Sequence, residues 1–177
     1  MRDRRTRRLI RSAIDYVDHG WPITRLAVPC GGACPCPLDS CVDPHLMLKQ
    51  PLVIRSADEA RSCFVHGVWS IALVTHPFEV FEVPAWVGAP LHQLLKTACP
   101  TAFLPATRRW QFFLEPGSVS RSTARSIGGE VVGGSSGWLP APGTWTESTG
   151  WSRWMVPPYT AHWTPYVRRD PIDLVIG

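Results

Sequence analysis

Four metal-binding side chains lie close together in the stretch Cys30-Gly31-Gly32-Ala33-Cys34-Pro35-Cys36-Pro37-Leu38-Asp39-Ser40-Cys41-Val42-Asp43-Pro44-His45. The four are Cys34, Cys36, Cys41 and His45, and Cys30 is an alternative ligand. Thiolates and imidazoles of this kind close a tetrahedral structural site around zinc. The prolines between them restrict the loop in advance, so less backbone entropy is lost when a metal binds. The sequence therefore predicts a structural zinc loop over residues 30–45.

Composition indicates a folded chain outside the membrane. Its 177 residues suffice for one domain with its own core, and 45% hydrophobic residues exclude extended disorder. No apolar run approaches the roughly 20 residues of a membrane span, and the basic N-terminus lacks the apolar stretch of a secretory signal. We therefore expect a cytoplasmic protein with no membrane partner, where clustered thiols bind metal instead of forming disulfides.

Positive charge is concentrated at the N-terminus. The net charge is +4, and every basic residue except Lys49 and Lys96 is an arginine. Six arginines crowd the first eleven positions: Arg2, Arg4, Arg5, Arg7, Arg8 and Arg11. Such a run is usually a solvated helix face. The alternative is phosphate binding, for which the guanidinium group is well shaped.

Periodicity and turn residues predict helices mixed with short strands. The predicted helices cover 6–19, 57–66 (after a capping box formed by Ser56 and Glu59) and 85–98. The predicted strands cover 21–28, 70–75, 78–83, 101–106, 109–115, 138–142 and 152–156, with a turn over 128–137, a polar loop over 144–150 and an irregular tail over 157–177. This pattern predicts a single α+β domain over residues 1–177.

The order of these features resembles a known family. The resemblance rests on the cysteine loop together with His19-Gly20-Trp21-Pro22, Ser70–Thr75, Phe78–Pro84, Arg109–Phe113 and Gly137–Pro142. This series resembles the bifunctional DNA primase/polymerase N-terminal domain of the archaeo-eukaryotic primase superfamily, in particular short actinobacterial members with a zinc-type insert. The resemblance implies a mixed or antiparallel sheet flanked by helices, and a role in DNA replication.

Active members of that family carry two aspartates on one strand, with one residue between them. These aspartates bind a pair of divalent metals. Glu82 occupies the first of these positions and Pro84 the second. A strand histidine that contacts phosphates in the family corresponds to Trp110, so Arg108 or Arg109 is the remaining phosphate-binding candidate. The third carboxylate of the family corresponds to Glu130. The resemblance thus implies a primase/polymerase-like domain with a degenerate site.

Three hypotheses follow. The leading one is a degenerate domain that binds DNA or nucleotide, with a helicase or another replication protein as a possible partner. The second is an active nucleotidyltransferase that uses Mg²⁺ or Mn²⁺ at Glu82, Glu130 and one further carboxylate, either Glu79 or Asp173. Glu79 and Glu82 should point to opposite faces of a strand, because Glu82 lies three positions after Glu79. The third is a zinc-stabilised protein-interaction domain with no nucleic-acid role.

Overall fold

The computed structural model describes residues 2–30, 33–36, 41, 43–46, 52–66, 69–134, 137–146 and 150–167. The helices in this part of the chain are α1 (Arg2–Asp18), α2 (Ala57–Phe64), α3 (Ala85–Leu95) and α4 (Arg121–Ser126), and a 3-10 turn follows at Pro158–Ala161. The strands are β1 (Ile23–Ala27), β2 (His45–Leu46), β3 (Ser70–Val74), β4 (Glu79–Pro84), β5 (Thr101–Leu104), β6 (Arg109–Leu114), β7 (Glu130–Val132), β8 (Trp138–Pro140), β9 (Trp145–Thr146), β10 (Gly150–Trp151) and β11 (Arg153–Val156).

The strands form antiparallel sheets, so the predicted α+β class is confirmed. A four-stranded sheet has the order β2-β1-β3-β8, and a five-stranded sheet has the order β11-β5-β6-β4-β7. Strands β9 and β10 form a separate pair. Neighbouring strands are antiparallel throughout the named pairs.

The first core contains residues from α1 and from both large sheets. Trp21, which follows α1, lies 4.5 Å from Phe78 and 5.4 Å from Phe113 between ring centroids. Its indole Nε1 donates to the carbonyl oxygen of Trp163 at 3.1 Å. Gly20 ends α1 with a φ of +77°, a conformation that costs glycine little. The helix stop predicted from Gly20 therefore fixes where Trp21 enters the core.

The second core lies on the opposite face of the five-stranded sheet, beneath α3 and α4. Trp110 packs there against Phe103 and against Gly88 of α3. A Cβ atom at Gly88 would lie 2.4 Å from the indole, so only glycine lets the helix approach this closely. Helix α3 ends at Leu95, earlier than predicted, because Lys96 adopts a φ of +48°.

The predicted start of the second helix is confirmed in detail. The Ser56 side chain accepts a hydrogen bond from the backbone N–H of Glu59, and the Glu59 carboxylate accepts one from the N–H of Ser56 at 3.3 Å. These two hydrogen bonds satisfy backbone N–H groups that have no partner within the first turn of a helix. Helix α2 then runs from Ala57 to Phe64.

Three segments depart from the sequence predictions. The predicted turn over 128–137 contains strand β7, which pairs with β4 from Val132 to Glu130. The predicted loop over 144–150 contains β9 and the first residue of β10. Helix α4 was not predicted, because Ala124 is its only apolar residue. Strand β7 was not predicted because glycines flank it. Its Val131 packs against the second core, and its Val132 packs against the first core on the other face of the sheet.

Candidate functional site

The predicted ligands Cys34, Cys36, Cys41 and His45 lie together. Their ligand atoms are all within 4.8 Å of one another, and Cys30 is not a member of this group. The four-stranded sheet fixes the end of the loop, because His45 begins β2 opposite Ala27 of β1. These four side chains could therefore bind a metal such as zinc.

Three distances within the cluster are close to the edges of a zinc tetrahedron. Zinc–sulfur and zinc–nitrogen bonds of standard length place neighbouring ligand atoms about 3.5–3.8 Å apart. The observed separations are 3.9 Å from Cys34 Sγ to His45 Nε2, 3.7 Å from Cys41 Sγ to His45 Nε2, and 3.2 Å from Cys36 Sγ to Cys41 Sγ. Because all four ligand atoms lie within 4.8 Å of one another, the group could hold a metal ion.

The imidazole of His45 is oriented for metal binding. Its Nδ1 donates to the carbonyl oxygen of Asp43 at 2.9 Å, which leaves Nε2 directed at the sulfurs of Cys34 and Cys41. Metal-binding histidines commonly use their second nitrogen in this way, and the contact fixes ring orientation and tautomer. The same backbone hydrogen bond raises the pKa of His45.

Three crowded sulfurs also need a cation before they can ionise together. The hydrogen bond with Cys36 is the main cause that raises the pKa of Cys41 to about 12, and loss of hydration and the Cys34 thiol add to the effect. Neighbouring like charges disfavour the thiolate form. A bound dication reverses this balance and holds the ligands as thiolates.

A second candidate site is a row of side chains across the five-stranded sheet. Directly opposed residues run from Trp154 on β11 through Ala102, Gln111 and Glu82 to Glu130 on β7. Opposed residues in an antiparallel sheet present their side chains on the same face, about 4.5–5.5 Å apart. Trp154 and Ala102 belong to the first core, so the row runs from that core to a polar end at the β7 edge.

Both carboxylate oxygens of Glu82 already have partners. Arg109 donates from Nε to Oε1 at 2.5 Å, and Gln111 donates from Nε2 to Oε2 at 2.8 Å. The Glu82 side chain is only 14% exposed and that of Arg109 26% exposed. Arg109 is held further by the carbonyl oxygens of Glu82 and Gly128, each at 3.3 Å. Glu82 is therefore a largely buried carboxylate neutralised by one arginine.

The other residues singled out from the sequence lie in different places. Glu130 is exposed, opposite Glu82 at the sheet edge. Glu79 belongs to the other face of β4, as the spacing predicted, and accepts a hydrogen bond from the backbone N–H of Gly117 at 2.9 Å. Arg108 is exposed in the β5–β6 turn with a φ of +53°. Asp173 lies outside the described residues.

Trp110, which the resemblance places at the family's histidine position, and its neighbour Gln111 face opposite sides of the five-stranded sheet. Trp110 lies opposite Val83 and faces the second core, so its ring points away from Glu82. Gln111 reaches Glu82 from β6 beside Arg109, and its role was not predicted from the sequence. The alternation of side chains along a strand would have identified Gln111 once its pairing with Glu82 was known. The register itself was not available from the sequence.

The Cys/His cluster is the one group of three or more closely placed metal ligands in the described ranges. No set of three carboxylates converges there around Glu82. Within the same residues, no helix combines the length and apolar character needed to cross a membrane. Comparison with protein-family models, with curated proteins and with solved structures finds no match to this chain.

Proposed function

We propose that this chain is a primase/polymerase-like domain with a degenerate catalytic site, which binds nucleic acid or nucleotide in a process linked to DNA replication. The observation that carries the proposal is the state of Glu82. It occupies the position that the resemblance assigns to a metal-binding carboxylate, but Arg109 and Gln111 hold both of its oxygens. The resemblance is the reason for proposing nucleic acid or nucleotide as the ligand. The contacts of Glu82 are the reason for proposing that nucleotidyl transfer has been lost.

Two-metal nucleotidyl transfer needs carboxylates that bridge two cations about 3.5–4 Å apart. A metal at Glu82 would have to displace an arginine that is itself anchored by the carbonyl oxygen of Gly128. Pro84 offers no ligand at the second position, and in the described residues Glu130 is the one carboxylate directly opposed to Glu82. The contacts of Glu82 with Arg109 and Gln111 therefore suit a structural role between β4 and β6 better than the binding of two metals.

In the same proposal the Cys/His cluster holds a structural zinc ion. Four protein ligands complete its coordination, which leaves no open position for water or substrate. Bound zinc would tie the loop after β1 to β2, because His45 belongs to both the metal site and the sheet. Its contribution is then to folding.

Two measurements on the zinc-loaded protein test the function. Binding of labelled DNA and of a deoxynucleoside triphosphate is measured by fluorescence anisotropy and calorimetry. Template-directed incorporation of nucleotides is measured with Mg²⁺ and with Mn²⁺. The Glu82→Gln variant is measured under the same conditions as a matched control. We expect binding without incorporation above that control. Absence of binding to either ligand would instead favour the zinc-stabilised protein-interaction domain.

One observation favours an active nucleotidyltransferase as the second candidate. Glu82 and Glu130 are directly opposed and share one face, so two carboxylates do converge at the sheet edge. If Arg109 moved to a substrate phosphate, Glu82 would be free to take a metal. This hypothesis requires that Glu82→Gln and Glu130→Gln each abolish incorporation. Equal incorporation by both variants and the unmodified protein would exclude it.

A further inference from the structure

A row of exposed side chains lies at the β11 edge of the five-stranded sheet. Trp151 ends β10 and is 62% exposed, Arg153 begins β11 and is exposed, and Ser152 between them is buried. The backbone N–H of Ser152 donates to the carbonyl oxygen of Thr144, just before β9, so the chain stays extended from β10 into β11. Exposure that alternates along an extended chain places Trp151 and Arg153 on one face.

Neighbouring strands add two aromatic rings to this face. Trp145 of β9 lies directly opposite Trp151, and Phe103 of β5 lies directly opposite Arg153. Opposed residues of antiparallel strands present their side chains on the same face. The guanidinium carbon of Arg153 lies 5.7 Å from the centre of the Phe103 ring, which is a cation–π contact. We term Trp145, Trp151, Arg153 and Phe103 the aromatic face.

Trp151 differs from the tryptophans that build the cores. Trp21 and Trp154 pack in or against the first core, and Trp110 packs in the second. The Trp151 ring makes no ring contact within the described residues and leaves most of its surface in water. Tryptophan and arginine are among the side chains most enriched where partners bind. The Trp151 ring, beside Arg153, is therefore placed to contact a partner.

The surroundings of the aromatic face favour an anion. Arg108 is exposed in the β5–β6 turn, and this turn lies beside β10, because a Cβ atom at Gly150 would be 3.4 Å from the Cβ of Ala106. Strands β5, β9, β10 and β11 contain no acidic residue. The β9–β10 loop adds one carboxylate, Glu147, which lies outside the described residues. With Arg108 and Arg153, these segments carry a net positive charge.

This combination of rings and cations suits single-stranded nucleic acid. An unpaired base can stack on an exposed tryptophan ring, and a neighbouring guanidinium can bind a phosphate of the same strand through two hydrogen bonds. The bases of a duplex cover one another's faces, so a duplex offers the ring little surface except at its ends. Stacking tolerates any base, since every base has a π-face. We therefore expect single strands to bind with little sequence preference.

We infer that the aromatic face binds single-stranded nucleic acid, with an unpaired base stacked on Trp151 and a phosphate at Arg153. The inference rests on the proposed function for the class of ligand, and it adds the type of strand and the surface that binds it. Trp154, the neighbour of Arg153, begins the Glu82 row and packs against the first core. The aromatic face is thus on the other face of β11 from the Glu82 row.

The test compares two exposed tryptophans in the full, zinc-loaded chain. Trp151→Ala removes a ring from the aromatic face, whereas Trp86→Ala removes a ring of α3 that is 65% exposed. Fluorescence anisotropy measures binding to labelled single-stranded DNA and to a duplex of the same length. Trp151→Ala should weaken single-strand binding about fivefold or more, the effect of losing one stacked base, and Trp151→Phe should restore most of it. Trp86→Ala should bind like the unmodified protein, and the duplex should bind more weakly than the single strand.

A salt series separates the phosphate contact from the stacking contact. Arg153→Gln and Arg121→Gln each remove one exposed cation, the second from α4. Each phosphate contact on a single strand contributes about 0.7 to the slope of log K against log salt. Arg153→Gln should reduce the magnitude of that slope by about 0.7. Arg121→Gln and Trp151→Ala should leave it unchanged.

Several results would overturn the inference. If the unmodified protein binds single-stranded DNA and Trp151→Ala binds it as well as Trp86→Ala does, the aromatic face is not the binding surface, while the proposed function stands. Tighter binding of the duplex, or binding of nucleotide alone, has the same consequence. If neither DNA nor nucleotide binds, both proposals fail. Self-association in sedimentation that Trp151→Ala abolishes, without DNA binding, would assign the face to a second copy of the chain. Circular dichroism checks folding, and Trp151→Leu, which keeps an apolar side chain without a ring, replaces Trp151→Ala if that variant unfolds.

Discussion

Replacing Arg109 with methionine tests how much the ion pair between Arg109 and Glu82 contributes to the stability of the fold. The methionine fills similar apolar space but leaves the Glu82 carboxylate, 14% exposed, with Gln111 as its remaining partner. Breaking a fully buried ion pair costs roughly 3–5 kcal/mol. Arg109 is 26% exposed and Gln111 still binds one oxygen, so we expect a smaller loss of about 2 kcal/mol in the free energy of unfolding.

The chain offers a matched control for this substitution. Arg61 and Asp58 form a pair with a similar separation of 2.6 Å, but their side chains are 56% and 94% exposed. Surface pairs of this kind contribute roughly 0–1 kcal/mol, so Arg61→Met should change stability little. Urea unfolding, followed by tryptophan fluorescence and circular dichroism, measures both. Equal losses in the two variants, or a loss below about 0.5 kcal/mol for Arg109→Met, would refute the argument from burial.

Three further predictions concern the metal loop, the second core and the α2 cap. Cys41→Ser should abolish stoichiometric zinc and remove up to about 4 kcal/mol of stability when zinc exceeds its Kd 1,000-fold, as metal analysis and unfolding with and without zinc can show; equal zinc content in the variant would contradict this. Gly88→Ala should destabilise by about 1–2 kcal/mol in urea unfolding, because overpacking against Trp110 outweighs the gain in helix propensity, and a stabilised variant would contradict this. The backbone N–H of Arg55 lowers the pKa of Glu59, so the stabilising effect of Glu59 is present at neutral pH and lost as the pH falls below about 4. Glu59→Gln should therefore unfold more readily than the unmodified protein at pH 7, and the difference should narrow as the pH falls below about 4; a difference that stays constant in acid would contradict this.

Local chemistry made several features predictable. The capping box at Ser56, the glycine stop at Gly20 and the cysteine–histidine set each lie within a few residues of sequence, so spacing alone specifies the contact. The four metal ligands also converge as predicted, because the loop is short and His45 is fixed in β2.

Features that depend on long-range register were not predictable. Gln111 meets Glu82 across 29 residues of sequence, and Glu130 meets it across 48. Sequence patterns show that these residues alternate along strands but do not show which partners they face. Strand β7 was missed for the same reason, because Val131 and Val132 become a strand only by pairing with β4. This register decides that Gln111, and not Trp110, lies opposite Glu82.

Manganese binding is the most direct test of the claim that the Glu82 row does not support two-metal catalysis. Electron paramagnetic resonance of the zinc-loaded protein with DNA and nucleotide reports both the number of bound Mn²⁺ ions and any coupling between two of them. We predict no coupled Mn²⁺ pair, and the same spectrum for the Glu82→Gln variant. A coupled pair in the unmodified protein that disappears in Glu82→Gln and in Glu130→Gln would contradict the account.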